Sequence, residues 1–140
     1  MLLVLAAACH RASTSGPLAG AVSPRAAVEQ FLAAAKAQDM QAIGAVWGDE
    51  NGAMRDRTKR DELEKREVVM LSLLRHDQAR LSEPAAAPAG RVTMLVDLTQ
   101  GQLKANVKFT TAKGPSNRWF VADFDTGLLQ NQGFGGKRPR

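Results

Sequence analysis

The amino-acid sequence predicts an α+β fold, with N-terminal helices packed on a curved four-stranded antiparallel sheet. Two observations carry this. Apolar residues recur every three to four positions as far as Arg75, and at every second position from Asp77 onward. The polar breaks between the later apolar runs, such as Gln100-Gly101 and residues 113–117, are short enough to join neighbouring strands as hairpins. Length and composition agree: 140 residues, 44% hydrophobic and 24% charged, suit one ordinary globular domain. A single cysteine excludes a disulfide scaffold, and no apolar run reaches the roughly 18–20 residues of a membrane-spanning helix.

The chain opens with Met1-Leu2-Leu3-Val4-Leu5-Ala6-Ala7-Ala8-Cys9. This has the end of an apolar stretch and the small-residue site of a secretory signal, without the basic segment that normally precedes them. Residues 1–8 are therefore read as a signal-peptide remnant, with the true start codon upstream. Ala7-Ala8-Cys9 resembles the lipobox of bacterial lipoproteins; Ala6 stands three places before the cysteine, where that motif usually has Leu. The resemblance implies that Cys9 is lipidated on sulfur and becomes the mature N-terminus, anchoring the chain to a membrane. The alternative is a free, buried cysteine. Residues 10–22 are rich in Ala, Ser, Thr, Gly and Pro and lack periodicity, so they bury too little apolar area to offset the entropy of ordering them. Residues 9–22 thus read as a lipidated cysteine on a flexible tether.

Ser23-Pro24 opens the first helix, with Ser as N-cap and Pro where its missing N–H is harmless. Val28, Phe31, Leu32 and Ala35 form its apolar stripe. Asp39 caps a second, short helix carrying Met40, Ile43, Val46 and Trp47, and residues 48–52 form a loop. Thr58 with Asp61 and Glu62 resembles a capping box, so a third helix is expected over about residues 59–75. Glu62–Arg66 and Asp61–Lys65 are i,i+4 pairs; Leu63, Val69, Met70, Leu71, Leu73 and Leu74 supply the buried stripe.

The strands follow. Residues 77–83 alternate weakly, and 84–90 form a loop. Residues 91–99 place Val92, Met94, Val96 and Leu98 on one face, and residues 102–111 repeat the pattern with Leu103, Ala105, Val107 and Phe109. Residues 118–124 form the last strand. One face meets a core and the other meets water. The domain is expected over residues 23–129. Residues 130–140 read as a disordered basic tail; Lys137, Arg138 and Arg140 supply three positive charges against a formal net charge of +5.

Ser23-Pro24-Arg25-Ala26-Ala27-Val28-Glu29-Gln30-Phe31-Leu32, then Asp39-Met40-Gln41-Ala42-Ile43, then Arg118-Trp119-Phe120-Val121 together resemble small bacterial lipoproteins of the nuclear transport factor 2-like superfamily. These are cystatin-like domains, including an envelope group of unknown function once labelled lumazine-binding-like. The resemblance spans about residues 23–129 and rests on packing patterns, not catalytic signatures. It implies a cone, with helices lying across the curved sheet.

The chemical inventory is thin. His10 lies in the tether. His76, beside Asp77, is either a general base or a residue at a helix C-terminus favoured by the dipole. Asp97, Asp123 and Asp125 are the carboxylates an apolar cone would use for acid–base work, but Asp97 falls on the outward set of its strand. The chain has no tyrosine to donate a hydroxyl in the manner of ketosteroid isomerases. No catalytic residue, metal ligand or cofactor is assigned. Trp47, Met70, Met94 and Trp119 either belong to the core or line a ligand pocket. The basic residues between Arg55 and Arg66 are nearly cancelled by Asp56, Asp61, Glu62, Glu64 and Glu67, so this stretch forms a solvated helix face without the aromatic interleaving of a nucleic-acid site.

The expected function is therefore that of a non-catalytic domain in the bacterial cell envelope, membrane-anchored through Cys9 and facing the periplasm or the exterior. It would bind a small apolar ligand or a protein partner, with homodimerisation open and no nucleic acid. The alternative is an isomerase-, cyclase- or dehydratase-like enzyme using the cone cavity.

Overall fold

The computed structural model describes residues 18–136. Helix α1 (Pro24–Ala37) begins as the sequence predicts: the Ala26 N–H donates to Ser23 Oγ at 3.1 Å, and Pro24 occupies the first turn. Its buried face includes Ala27, Val28, Phe31, Leu32 and Ala35. Gln38 ends it in the left-handed region at φ 54°, and its Nε2 donates to Ala35 O at 2.7 Å and to Leu71 O at 3.1 Å. That amide ties the end of α1 to the third helix. The Ala42 N–H donates to Asp39 Oδ1 at 3.0 Å, capping α2 (Met40–Val46).

Residues 48–52, expected as a loop, include a small hairpin of β1 (Gly48–Asp49) and β2 (Gly52–Ala53), followed by a 3-10 turn (Met54–Asp56). Helix α3 (Arg60–Leu73) is shorter than expected at both ends. The Thr58 capping box does not form. Lys59 is the N-cap without a side-chain hydrogen bond, and Asp61 and Glu62 in the first turn favour the helix dipole. Glu62 pairs with Arg66 as predicted, and Arg60 pairs with Glu64 at 2.9 Å. The inward stripe is Leu63, Glu67, Met70, Leu71 and Leu74, while Val69, expected inside, is 56% exposed. Two positions on from Glu67 is about 200° around the helix, so Val69 points away once that stripe faces the core.

The main sheet has five strands, not four: β3 (Gln78–Leu81), β4 (Ala85–Ala86), β5 (Val92–Gln100), β6 (Leu103–Lys113) and β7 (Trp119–Phe124). All pairings are antiparallel, and the order is β3–β5–β6–β7, with β4 also on β5. The extra strand comes from a break in the edge. At Ser82 the N–H still donates to Leu95 O at 2.8 Å, but the Leu95 N–H turns to Ser82 Oγ at 2.9 Å. Pro84, with no N–H to donate, then keeps β3 and β4 apart.

The core face is the one the alternation predicts. Met94 opposes Phe109, Val96 opposes Val107 and Leu98 opposes Ala105, and all six are buried. In β7 the alternation slips. Thr111 opposes Val121 and Thr110 opposes Asp123, so Ala122 is an extra residue and forms a bulge. This puts Val121 and Phe124 on the same core face although three positions separate them. Phe120 turns to the outer face, where glycine backbone covers it: a Cβ added at Gly20, Gly48 or Gly114 would come within 2.8–2.9 Å of its ring.

Both ends of the domain extend beyond the predicted limits. Ala21, placed in the tether by its sequence, is fully buried and exchanges two 2.8 Å backbone hydrogen bonds with Trp119. Trp47 forms an isolated parallel bridge with Val121. These two segments cover the outer edge of β7. At the other end, the Leu128 N–H donates to Asp125 Oδ1 at 3.0 Å and caps α4 (Thr126–Asn131). The Phe134 N–H donates to Leu129 O, and the Phe134 ring is buried in the core. Residues 130–136, predicted as tail, are therefore ordered, because Leu129 and Phe134 bury enough apolar surface to anchor them. Residues 137–140 lie outside the described residues.

Candidate functional site

Cys9 and His10 lie outside the described residues. Of the four proposed pocket residues, Met70 and Met94 are buried in the core, while Trp47 and Trp119 are half-buried and pack against it. All four belong to one apolar cluster, and none lines any of the three concavities described below. The space between α1 and the sheet is occupied by phenylalanines. Phe31 meets Phe109 edge-on at 6.2 Å and Phe124 at 5.9 Å, and Phe109 stacks on Phe124 at 5.4 Å.

The candidate acid–base residues are engaged locally and do not converge. His76 Nδ1 lies 2.7 Å from Leu74 O, past the end of α3. Asp97 is exposed and accepts from Asn106 Nδ2 at 2.7 Å. Asp123 accepts from the Phe124 N–H, and Asp125 caps α4.

Two open-sided grooves flank the body. The first, about 810 Å³, lies at the end of β3, β5 and β6 and is polar, with Lys36, Asp77, Arg80, Asp97 and Lys104 in its walls. Its carboxylates are already occupied: Asp77 Oδ2 accepts from the Gly101 N–H at 2.7 Å, and Asp97 holds Asn106. Lys36 Nζ donates to Asp77 O at 2.8 Å. The second groove, about 750 Å³, runs between α3 and the C-terminal segment, with Val68, Val69, Leu73, Phe134 and Gly135 in its walls. Val68 and Val69 are each 56% exposed there.

The third concavity is a small pocket of about 120 Å³ between α2, the 3-10 turn and α3. It holds Glu67, which the charge pattern placed on the solvated helix face and the structure turns inward. Glu67 is only 3% exposed. Among the described residues its carboxylate has no hydrogen-bond or ion-pair partner. Burial, reinforced by the negative charge of Glu64, raises its pKa above the ordinary carboxylate range. A helical stripe of 63, 67, 70, 71 and 74 with one acid in it is a signal visible in the sequence. Gly44 completes the seat: a Cβ there would lie 2.7 Å from Glu67 Oε1.

Other charges near β1 are paired. Desolvation tends to raise the pKa of Asp49, but hydrogen bonds from Arg57 and the Asn51 N–H outweigh it and lower the pKa. The Arg91 guanidinium grips both oxygens of Glu50, at 2.7 and 3.1 Å, and lowers its pKa. Among the described residues no three His, Cys, Asp or Glu side chains are grouped to hold a metal ion, and no helix is long and apolar enough to cross a membrane. No protein-family model, curated protein or solved structure matches this chain.

Proposed function

We propose that this chain is a non-catalytic lipoprotein domain of the bacterial cell envelope, cone-shaped and cystatin-like, anchored through a lipidated Cys9. It works by binding a ligand or a protein partner at its surface. One observation carries the binding reading: the space under α1 is filled by Phe31, Phe109 and Phe124, while the two large concavities are open-sided grooves on the periphery. A catalytic cone needs a hollow interior with a converging acid or base, whereas Asp97, Asp123, Asp125 and His76 are dispersed. The anchoring reading rests on Leu5-Ala6-Ala7-Ala8-Cys9. An acyl chain contributes roughly 0.8 kcal/mol per buried CH₂, so a multiply acylated cysteine would hold the domain at a bilayer.

The test is made in the native host. Mass spectrometry of the membrane fraction should find Cys9 as an acylated N-terminus, and the Cys9→Ser protein should leave the membrane pellet. An unmodified Cys9, or a Cys9→Ser protein that still pellets, overturns the anchor. Hydrogen exchange on the intact envelope, compared with the purified chain, should show extra protection along one groove. Identical exchange everywhere overturns the binding reading.

A further inference from the structure

We propose that the pocket beneath Glu67 binds a small primary ammonium group, with the Glu67 carboxylate as its counter-ion. Glu67 lies on the buried stripe of α3, yet no donor within the described residues reaches its oxygens, and they face the pocket that α2 leaves open over Gly44. No side-chain oxygen of the described residues is both sealed from solvent and unpaired, so the Glu67 oxygens open into this pocket, where the low-dielectric walls strengthen the pull of a carboxylate without a protein partner on a cation.

The two arginines of the lining leave that role vacant. Arg60 Nε donates to Glu64 Oε1 at 2.9 Å, with an 87% exposed side chain, and Arg55 Nε faces Asp56 Oδ1 at 3.8 Å. Both answer other acids. An anion entering the pocket would meet Glu67 at its base. A metal ion would find no third carboxylate or imidazole. With Arg55 and Arg60 engaged by Asp56 and Glu64, an alkylammonium ion suits the rest of the lining, with three N–H donors for the carboxylate at one end and an alkyl chain against the half-buried Met40 and Leu63. With a water molecule taking about 30 Å³ of liquid, the pocket's 120 Å³ accommodates about four non-hydrogen atoms, the size of n-propylammonium.

A primary ammonium arrives either on a free small amine or on the end of a lysine side chain, and two probes separate these sources. The purified chain is titrated with n-propylammonium chloride and with Nα-acetyl-lysine amide, and backbone amide shifts are followed by NMR. Sodium chloride and tetramethylammonium chloride serve as controls. Saturable shifts at Gly44, Arg55 and Leu63 with a primary ammonium, absent with both controls, support the proposal; the tighter probe names the source. In Glu67→Gln, which keeps the shape and removes the charge, affinity should fall at least about tenfold while the rest of the spectrum is unchanged. The proposal is overturned by an absence of saturable shifts, by equal shifts with tetramethylammonium, or by unchanged affinity in Glu67→Gln. The inference goes beyond the envelope reading and is independent of it, since the fate of Cys9 does not affect these titrations.

Discussion

Phe109 and Phe124 face each other directly across β6 and β7, with ring planes 18° apart and centroids 5.4 Å apart. Phe31 from α1 closes on both. This triad joins the helical layer to the sheet, so truncating it opens a cavity where the two layers meet. Phe109→Ala should lower the unfolding free energy by about 3–5 kcal/mol, and Phe124→Ala by somewhat less because Phe109 is fully buried while Phe124 keeps 7% of its surface exposed. Urea denaturation of both variants checks this; a loss under about 1 kcal/mol for Phe109→Ala would show the layers to be held elsewhere.

Glu67 gives the protein a pH dependence of defined sign. Burial and then Glu64 raise its folded pKa above the ordinary carboxylate range, while Arg55 and Arg60, which line the same pocket, pair with Asp56 and Glu64. In the window between the unfolded and folded pKa the native state holds more protons. Stability therefore falls as pH rises through that window and stays lower above it. Glu67→Gln removes this slope. Urea midpoints of the two proteins should lie closest at acidic pH and diverge toward neutrality, with the variant the more stable; parallel curves would refute the assignment.

Gly48 has no room for a side chain. A Cβ there would collide with the Gly52 carbonyl across the β1–β2 hairpin and press on the Phe120 ring at 2.9 Å. Backbone cannot yield without opening the hairpin, so Gly48→Ala should cost about 2–3 kcal/mol. Gly127→Ala is the contrasting case: it lies in α4, its Cβ would meet nothing closer than 3.6 Å, and it should be neutral or stabilising by up to about 1 kcal/mol. Thermal melts of the pair test the contrast.

The Arg91–Glu50 pair fastens the β1–β2 turn to the start of β5, but both side chains are partly solvated. Arg91→Ala should therefore cost only about 0–1 kcal/mol, and less in high salt. Because the Glu50 pKa is lowered in the fold, the contribution is present above the unfolded pKa and lost as pH falls through the folded one. Urea midpoints of the variant and the parent should converge in acid; a constant gap would mean that Arg91 acts through packing.

Much of this architecture was legible in the residues. The caps at Ser23 and Asp39, the switch of period near residue 77 and the inward set on β5 and β6 are local chemistry, read within a few neighbours. The departures occur where distant segments decide. Ala122 bulges because Val121 and Phe124 must both reach the core. The edge strand splits because Ser82 lends its hydroxyl to Leu95. Ala21 is ordered by Trp119, far along the chain, and Phe134 by its place in a core built from distant segments, neither of which composition carries. Glu67 was misplaced for a different reason: an acid in a charged helix looks like surface until the stripe it occupies is aligned with α2.

The two borders of the sheet are closed in unlike ways. Along β7 the backbone groups are engaged by Ala21 and bridged by Trp47, and along β5 the short β3 and β4 are interrupted by Pro84 and followed by Pro88. Neither border offers another polypeptide a long, straight template, so fibril-like stacking and strand exchange between molecules are disfavoured at high local concentration, the condition a crowded surface imposes.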